Sequence, residues 1–215
     1  MDKTILITRP DHDITTRYLF YFAKEVLLLA ERKCFKVFDL KKEKASRKEF
    51  EGRMKKHNPG LIFVNGHGKE DMICGYDNKF LVKVNKNEKV FKDKTIYALS
   101  CQSASKLGRE SVKKGAISYI GYLKDFFFCY DEHKISRPLE DKIAKLFLEP
   151  SNQVVISLIK ENTAQGSSKK SKDFFLKNMQ KVLSSDSSKE FAYCAKYLWW
   201  NMKNQVCLEK NNVKK

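Results

Sequence analysis

Between residues 4 and 122 the chain alternates short apolar runs with stretches of helical periodicity, and that alternation leaves few folds open to it. Thr4-Ile5-Leu6-Ile7-Thr8 is an apolar run halted by Arg9-Pro10, the pattern of a strand buried on both faces. Apolar positions then fall at 14, 19, 22, 23, 26, 27 and 30, which is the spacing of a helix over residues 14–31. Cys34 to Leu40 reads as a second strand. Ser46 to His57 reads as a polar helix with Ser46 as N-cap and Glu49 three residues on, stopped by Asn58-Pro59-Gly60. Leu61 to Val64 is a third buried strand, ending at Asn65-Gly66-His67-Gly68. Residues 72–84 read as a hairpin turning at Tyr76-Asp77-Asn78. Thr95 to Ser100 is a fourth strand, Ser105 to Lys114 a helix stopped by Gly115, and Ala116 to Tyr122 a fifth strand. The order predicts an α/β fold with a mostly parallel, doubly wound sheet.

Beyond residue 122 the periodicity predicts a helix at 137–149 and a helix or strand at 153–160. Residues 163–171 (TAQGSSKKS) read as a loop, followed by helices at 172–184 and 188–207. The last has apolar positions at 191, 194, 195, 198, 199, 202 and 206, a face to pack on the body. The expectation is one domain over residues 1–215: a core of residues 1–160, a flexible loop at 163–171, and C-terminal helices over 172–207. A chain of 215 residues is long enough to bury such a core.

Lys and Arg number 43 against 26 acidic residues, a net charge of 43 − 26 = +17. A charge that large suggests nucleic acid or another anionic partner. The charge is diffuse, however, and follows no recognition motif, so nucleic acid is not the expected partner. The alternative it leaves open is a non-enzymatic α/β module that binds nucleic acid or a signalling nucleotide through its basic surface. No stretch is apolar for the roughly 20 residues that cross a bilayer, and Met1-Asp2-Lys3-Thr4 does not begin a signal peptide. The six cysteines (34, 74, 101, 129, 194 and 207) include no C-x-x-C pair, which suits free thiols in a reducing cytoplasm. No two Cys or His sit at ligand spacing, so zinc and other metals are not expected.

In an open α/β sheet, chemistry gathers beyond the carboxyl ends of the strands. One strand end presents His67 between two glycines, and the next core strand presents Cys101. A Cys and a His leaving the sheet at one edge are the parts of a thiolate–imidazole nucleophile. Gly66 and Gly68 let backbone approach a substrate closely. The amides of Gly68 and Cys101 would form an oxyanion hole. The other cysteines lack this setting: Cys34 begins a strand, Cys194 lies on an apolar helix face, and Cys129 follows three phenylalanines. His12, His57 and His133 sit in polar stretches and are expected to be solvated.

The segment Leu61-Ile62-Phe63-Val64-Asn65-Gly66-His67-Gly68 resembles the His strand of caspase-fold (clan CD) cysteine peptidases. Ala98-Leu99-Ser100-Cys101-Gln102-Ser103-Ala104, with Leu107-Gly108 and Lys114-Gly115-Ala116-Ile117-Ser118-Tyr119-Ile120-Gly121-Tyr122, resembles their Cys strand, most closely in the CHAT and gingipain-like branches. The likeness covers roughly residues 3–125. It implies a caspase-like three-layer α/β/α sandwich and a cysteine endopeptidase, with His67 as general base, Cys101 as nucleophile and no cofactor. It also implies a protein substrate and an activating protein partner, in a cytoplasmic setting such as prokaryotic stress or antiphage defence. No third member of the dyad stands out. By resemblance the specificity pocket draws on Asp11 or Asp13, on Leu99, and on Tyr122 to Asp125; an acidic floor from Asp13 or Asp125 would select Lys or Arg. The loop carrying Lys169-Lys170 would be a site of regulatory cleavage. Two features depart from caspases. The His-to-Cys gap is 101 − 67 = 34 residues against about 50, and Ser-Cys-Gln-Ser replaces their Gln-Ala-Cys-x-Gly, so aspartate specificity is not expected.

Overall fold

A computed structural model describes residues 3–184 and 189–212. Met1 and Asp2, which entered the signal-peptide argument, and Ser188, the expected start of the last helix, lie outside the described residues. The strands are β1 (Thr4–Arg9), β2 (Lys36–Lys41), β3 (Leu61–Asn65), β4 (Gly68–Lys69), β5 (Met72–Cys74), β6 (Phe80–Lys83), β7 (Thr95–Leu99), β8 (Ser118–Tyr122) and β9 (Gln205–Glu209). The helices are α1 (Ile14–Arg32), α2 (Arg47–His57), α3 (Arg109–Lys113), α4 (Lys142–Ile159), α5 (Ala164–Val182), α6 (Lys189–Ala192) and α7 (Cys194–Asn204).

Among the described residues six strands form one sheet in the order β2-β1-β3-β7-β8-β9, parallel except for β9. Every residue of β1, β3 and β8 is buried, because a parallel sheet covered on both faces has no solvated side. The two-residue alternation of a strand sorts these side chains into two cores. Ile5, Ile7, Phe63, Tyr97, Leu99, Ile120 and Tyr122 meet α1 and α4 on one face. Leu6, Ile62, Val64, Ile96, Ala98 and Tyr119 meet α2, α3 and the small sheet β4-β5-β6 on the other. This is the expected α/β architecture, a mostly parallel sheet between helical layers. Ser46 caps α2 as expected, accepting a hydrogen bond from the Glu49 amide at 3.5 Å, and Asn58 ends the helix in the left-handed region (φ 46°).

The C-terminal third differs from the sequence expectation in three ways. Residues 163–171 are no flexible loop: Thr163 caps α5 through the Gly166 amide, and 164–171 are its first two turns. The serines that suggested a loop are the packing surface of that helix. Ser167, Ser168 and Ser171 are buried, with Ser171 Oγ donating to the Pro150 carbonyl (2.7 Å) and Ser168 Oγ to Gln205 Oε1 (3.1 Å). Secondly, the segments expected on either side of residue 150 are one helix, α4, with Pro150 inside it. Proline cannot donate to the carbonyl four residues back. That carbonyl, on Leu146, instead accepts a 2.8 Å hydrogen bond from Asn178 Nδ2 on α5. Thirdly, residues 205–209 are strand rather than helix: β9 runs antiparallel to β8, with Gln205 opposite Tyr122. The buried Gln205 amide donates to Tyr122 Oη and Ser171 Oγ and accepts from Ser168, so its polar groups are satisfied.

Lys169-Lys170 therefore lie on a packed helix, whereas a peptidase needs extended substrate backbone. Prolonged incubation at high concentration should leave the intact mass unchanged, with no cut between residues 163 and 171. Among the described residues no helix is long and apolar enough to cross a membrane.

Candidate active site

The site is set by strand register. β3 and β7 pair in parallel from Leu61 opposite Thr95 to Asn65 opposite Leu99, an offset of 99 − 65 = 34 residues. His67 and Cys101 are separated by the same 34 residues, so they leave the carboxyl edge at one level. The alignment continues past the strands: the Gly66 amide donates to the Leu99 carbonyl (3.3 Å), and Ser100 Oγ donates to the His67 carbonyl (3.2 Å). That carbonyl also accepts the Cys74 amide at 2.8 Å, which ties His67 to the small sheet.

Both flanking glycines are required here. Gly66 has φ +147°, and a Cβ on it would stand 2.6 Å from the Cys74 carbonyl oxygen. A Cβ on Gly68 would stand 2.8 Å from the Cys101 carbonyl oxygen and would overlap Ser100 Oγ. Gly68 thus brings the backbone after His67 into direct contact with the backbone of Cys101.

His67 Nε2 lies 2.6 Å from Asp13 Oδ2. Asp13 stands at the start of α1, where its Oδ1 accepts the Thr16 amide (2.7 Å) and Thr16 Oγ1 closes a capping box. Burial favours the neutral carboxyl, but the Thr16 hydrogen bonds and the His67 contact outweigh it and hold Asp13 below its ordinary range. A carboxylate on Nε2 draws the ring proton to that nitrogen and leaves the Nδ1 lone pair free to accept a proton.

Cys101 is half-buried in a sharp turn. Gln102 has φ +57°, a strained value for a side-chain-bearing residue, and the turn is braced from the segment after β8. The Gln102 amide donates to the Lys124 carbonyl (3.1 Å), its Nε2 donates to Asp125 Oδ1 (2.8 Å), and the Trp200 indole on α7 donates to the Asp125 carbonyl (2.9 Å). The Cys101 thiol points to the Phe126 carbonyl, 3.9 Å away. Burial pushes its pKa up and the Asp125 carboxylate adds to the rise, while hydrogen bonding at Phe126 opposes it. Burial and Asp125 together weigh against the standing thiolate expected from a Cys–His pair.

In resting protein, iodoacetamide should modify the exposed Cys34 before Cys101, and Cys101 labelling should increase as pH rises above the ordinary cysteine range of about 8.5. Asp125→Asn removes the adjacent negative charge, so Cys101 labelling at neutral pH should rise several-fold. Peptide mapping at fixed times reads both effects.

No family model matches the chain. No curated protein matches it. Among solved structures, it is similar to the Arg-specific cysteine proteinase gingipain R (RgpB), with TM-score 0.62 and 10% identity. It is also similar to the complex of the pro- and mature domains of RgpB from Porphyromonas gingivalis, with TM-score 0.59 and 8% identity. Each match covers 97% of this chain and 47% of the other, so the chain spans about half the length of these neighbours. The fold is caspase-like. That agrees with the resemblance read in the sequence at the level of the fold, without singling out the CHAT branch.

The remaining expected site residues divide by location. Asp13 and Asp125 are at the site, one on His67 and the other beside Cys101. Leu99 and Tyr122 are buried in the core between the sheet and α4, so neither lines a substrate pocket. Their strands are covered on both faces, which leaves only residues beyond the strand ends to reach solvent. His12, expected to be solvated, has a side chain only 10% exposed and packs edge-on to Tyr76 and His67. His57 stacks on Phe38, whereas His133 is exposed. Chain separation hid the Asp13–His67 contact, since the two lie 67 − 13 = 54 positions apart. The available signal was Asp13 as an N-cap just beyond a strand, because β1 ends at the same sheet edge as β3.

Proposed function

We propose that this chain is a cysteine endopeptidase in which Cys101 is the nucleophile, His67 the proton carrier and Asp13 the residue that orients His67. The observation that carries this reading is the shared register of His67 and Cys101 together with the 2.6 Å contact between Asp13 and His67 Nε2. Because burial favours the neutral thiol, the nucleophile forms as the reaction starts. His67 Nδ1 takes the Sγ proton while the sulfur attacks the scissile carbonyl carbon. The resulting oxyanion is held by the amides of Gly68 and Cys101. The imidazolium, stabilised by Asp13, then protonates the leaving amine as the C–N bond breaks, giving a thioester. His67 next takes a proton from water, whose oxygen attacks the thioester, and the departing sulfur recovers the proton.

Asp125 supplies negative charge beside the nucleophile, which favours Lys or Arg at the residue preceding the cleaved bond. The thiol turned to the Phe126 carbonyl fits an enzyme that a protein partner or the substrate itself brings into its working state. The pairing of RgpB pro- and mature domains is a precedent for protein partnership on this fold. Peptidyl acyloxymethyl ketones ending in Arg, Asp or Leu test the proposal. The Arg probe should add one equivalent on Cys101 faster than the other two; no adduct from any probe, or adducts on other cysteines only, refutes it.

A further inference from the structure

We propose that His12, Asp13 and His67 form a binding site for a transition-metal dication of the zinc class, and that occupancy of this site switches the peptidase off. One ligand atom from each residue lies within 4.8 Å of the others. Asp13 Oδ2 is at the centre, 2.6 Å from His67 Nε2 and 3.7 Å from His12 Nε2. Bonds of 2.0–2.2 Å around a tetrahedral zinc put neighbouring ligand atoms about 3.3 Å apart. Reaching that spacing means opening the first of these distances and closing the second by less than about 1 Å each, while the two imidazoles, within 4.8 Å of each other, close by up to about 1.5 Å.

The second imidazole is poised rather than committed. The His12 side chain is nine-tenths buried, and its Nδ1 is buried with no hydrogen-bond partner. Its Nε2 makes one long contact, 3.3 Å to Asn78 Oδ1. The nitrogen that faces Asp13 is Nε2, so that long hydrogen bond to Asn78 is what a metal there would displace. The ring is held edge-on by Tyr76, 5.3 Å between centroids, so its place beside Asp13 is fixed by packing. Two imidazoles and one carboxylate, with a fourth position open, suit zinc and its neighbours in the first transition row. Calcium and magnesium prefer all-oxygen shells and are poorly served.

The inhibitory consequence rests on the peptidase reading, while the metal site does not. With Asp13 accepting the Nε2 proton, His67 keeps its lone pair on Nδ1. A metal takes the Nε2 lone pair, so the ring proton moves to Nδ1 and the base that would accept the Cys101 proton is gone.

Isothermal titration of chelator-treated protein with Zn²⁺, and absorption spectra with Co²⁺, test the site without measuring activity. One equivalent of Zn²⁺ should bind, and Co²⁺ should show tetrahedral d–d bands without a thiolate charge-transfer band. Cys101→Ala should bind as tightly as the wild type. His12→Phe, which keeps a ring against Tyr76, and His12→Gln should each weaken binding at least about tenfold, with circular dichroism confirming their fold. The site is refuted by no uptake, by a thiolate band, by loss of binding in Cys101→Ala, or by unchanged affinity in both folded His12 variants. If the metal binds as described and the wild type cleaves no peptide, the site stands and the peptidase reading fails. If the metal-free protein cleaves and Zn²⁺ bound at the site leaves cleavage untouched, the inhibitory role fails.

Discussion

Cys101→Ala should lower peptidase turnover by at least about 10⁴-fold, and His67→Ala should cost nearly as much. The two losses share a cause, because neither group makes the nucleophile alone. Sulfur that stays protonated is a poor nucleophile, and an imidazole with no thiol to deprotonate has nothing to activate. The double variant should therefore be no worse than either single one. Cys101 is half-buried and its side chain is small, so removing Sγ should leave the fold intact. Steady-state rates on the best peptide found with the ketone probes give the comparison. A Cys101→Ala protein that keeps a tenth of the wild-type rate, with its fold verified, rules out Cys101 as the nucleophile.

The second large effect belongs to Asp13→Asn. The two oxygens of Asp13 have separate duties: Oδ1 accepts from the Thr16 amide and hydroxyl, and Oδ2 meets His67 Nε2. Asparagine caps helices as well as aspartate does, so its amide oxygen takes over at Thr16 and α1 keeps its start. The amide nitrogen then faces His67 and donates where Oδ2 accepted. That reverses the tautomer and puts the ring proton on Nδ1, where the base should be. Turnover should fall roughly 100-fold or more while KM changes little and the melting temperature stays near that of the wild type. Asp13→Ala should show the same catalytic loss plus about 1 kcal/mol of lost cap. Equal turnover in Asp13→Asn and wild type would reduce Asp13 to a cap. Acid stability gives a further reading on Asp13. Its folded pKa is lowered, so its contribution is complete above the ordinary carboxylate value of about 3.9 and is lost as pH falls through the lowered value. Asp13→Asn should remove that part of the acid sensitivity.

The parts of the fold legible in the sequence are those where one local signal had no rival. Leu61 to Val64 and Thr4 to Thr8 are apolar on both faces, which only a covered parallel strand explains, and β3 and β1 are there. Ser46 with Asn58-Pro59-Gly60 marked both ends of α2. Illegible parts were those where two signals overlapped. Leu198, Met202 and Val206 continue a helical spacing through residue 206, although the chain becomes strand at Gln205, where the buried amide finds three partners that no local pattern reveals. Serines 167, 168 and 171 look like loop because their small size is used between α5 and its neighbours. Within the site, Cys101 and His67 were legible because a strand end fixes where a residue emerges. The contact of Asp13 with His67, the packing of His12 and the rise in the Cys101 pKa were not, because they depend on which loops meet above the sheet.

The ladder between β3 and β7 acts as a ruler whose zero is set inside the core. Sliding one rung would turn Ile62 and Val64 toward the face that now holds Phe63, exchanging the contents of two cores at once. The alignment of His67 with Cys101 is therefore insured by side chains that never meet a substrate. Within the intervening segment, residues 69–94, the small sheet shares that duty, since the Cys74 amide holds the His67 carbonyl. Lengthening or shortening the outer turn of this segment, around Asn85 to Asn87, would change the count of residues between His67 and Cys101 without changing the level at which the two emerge.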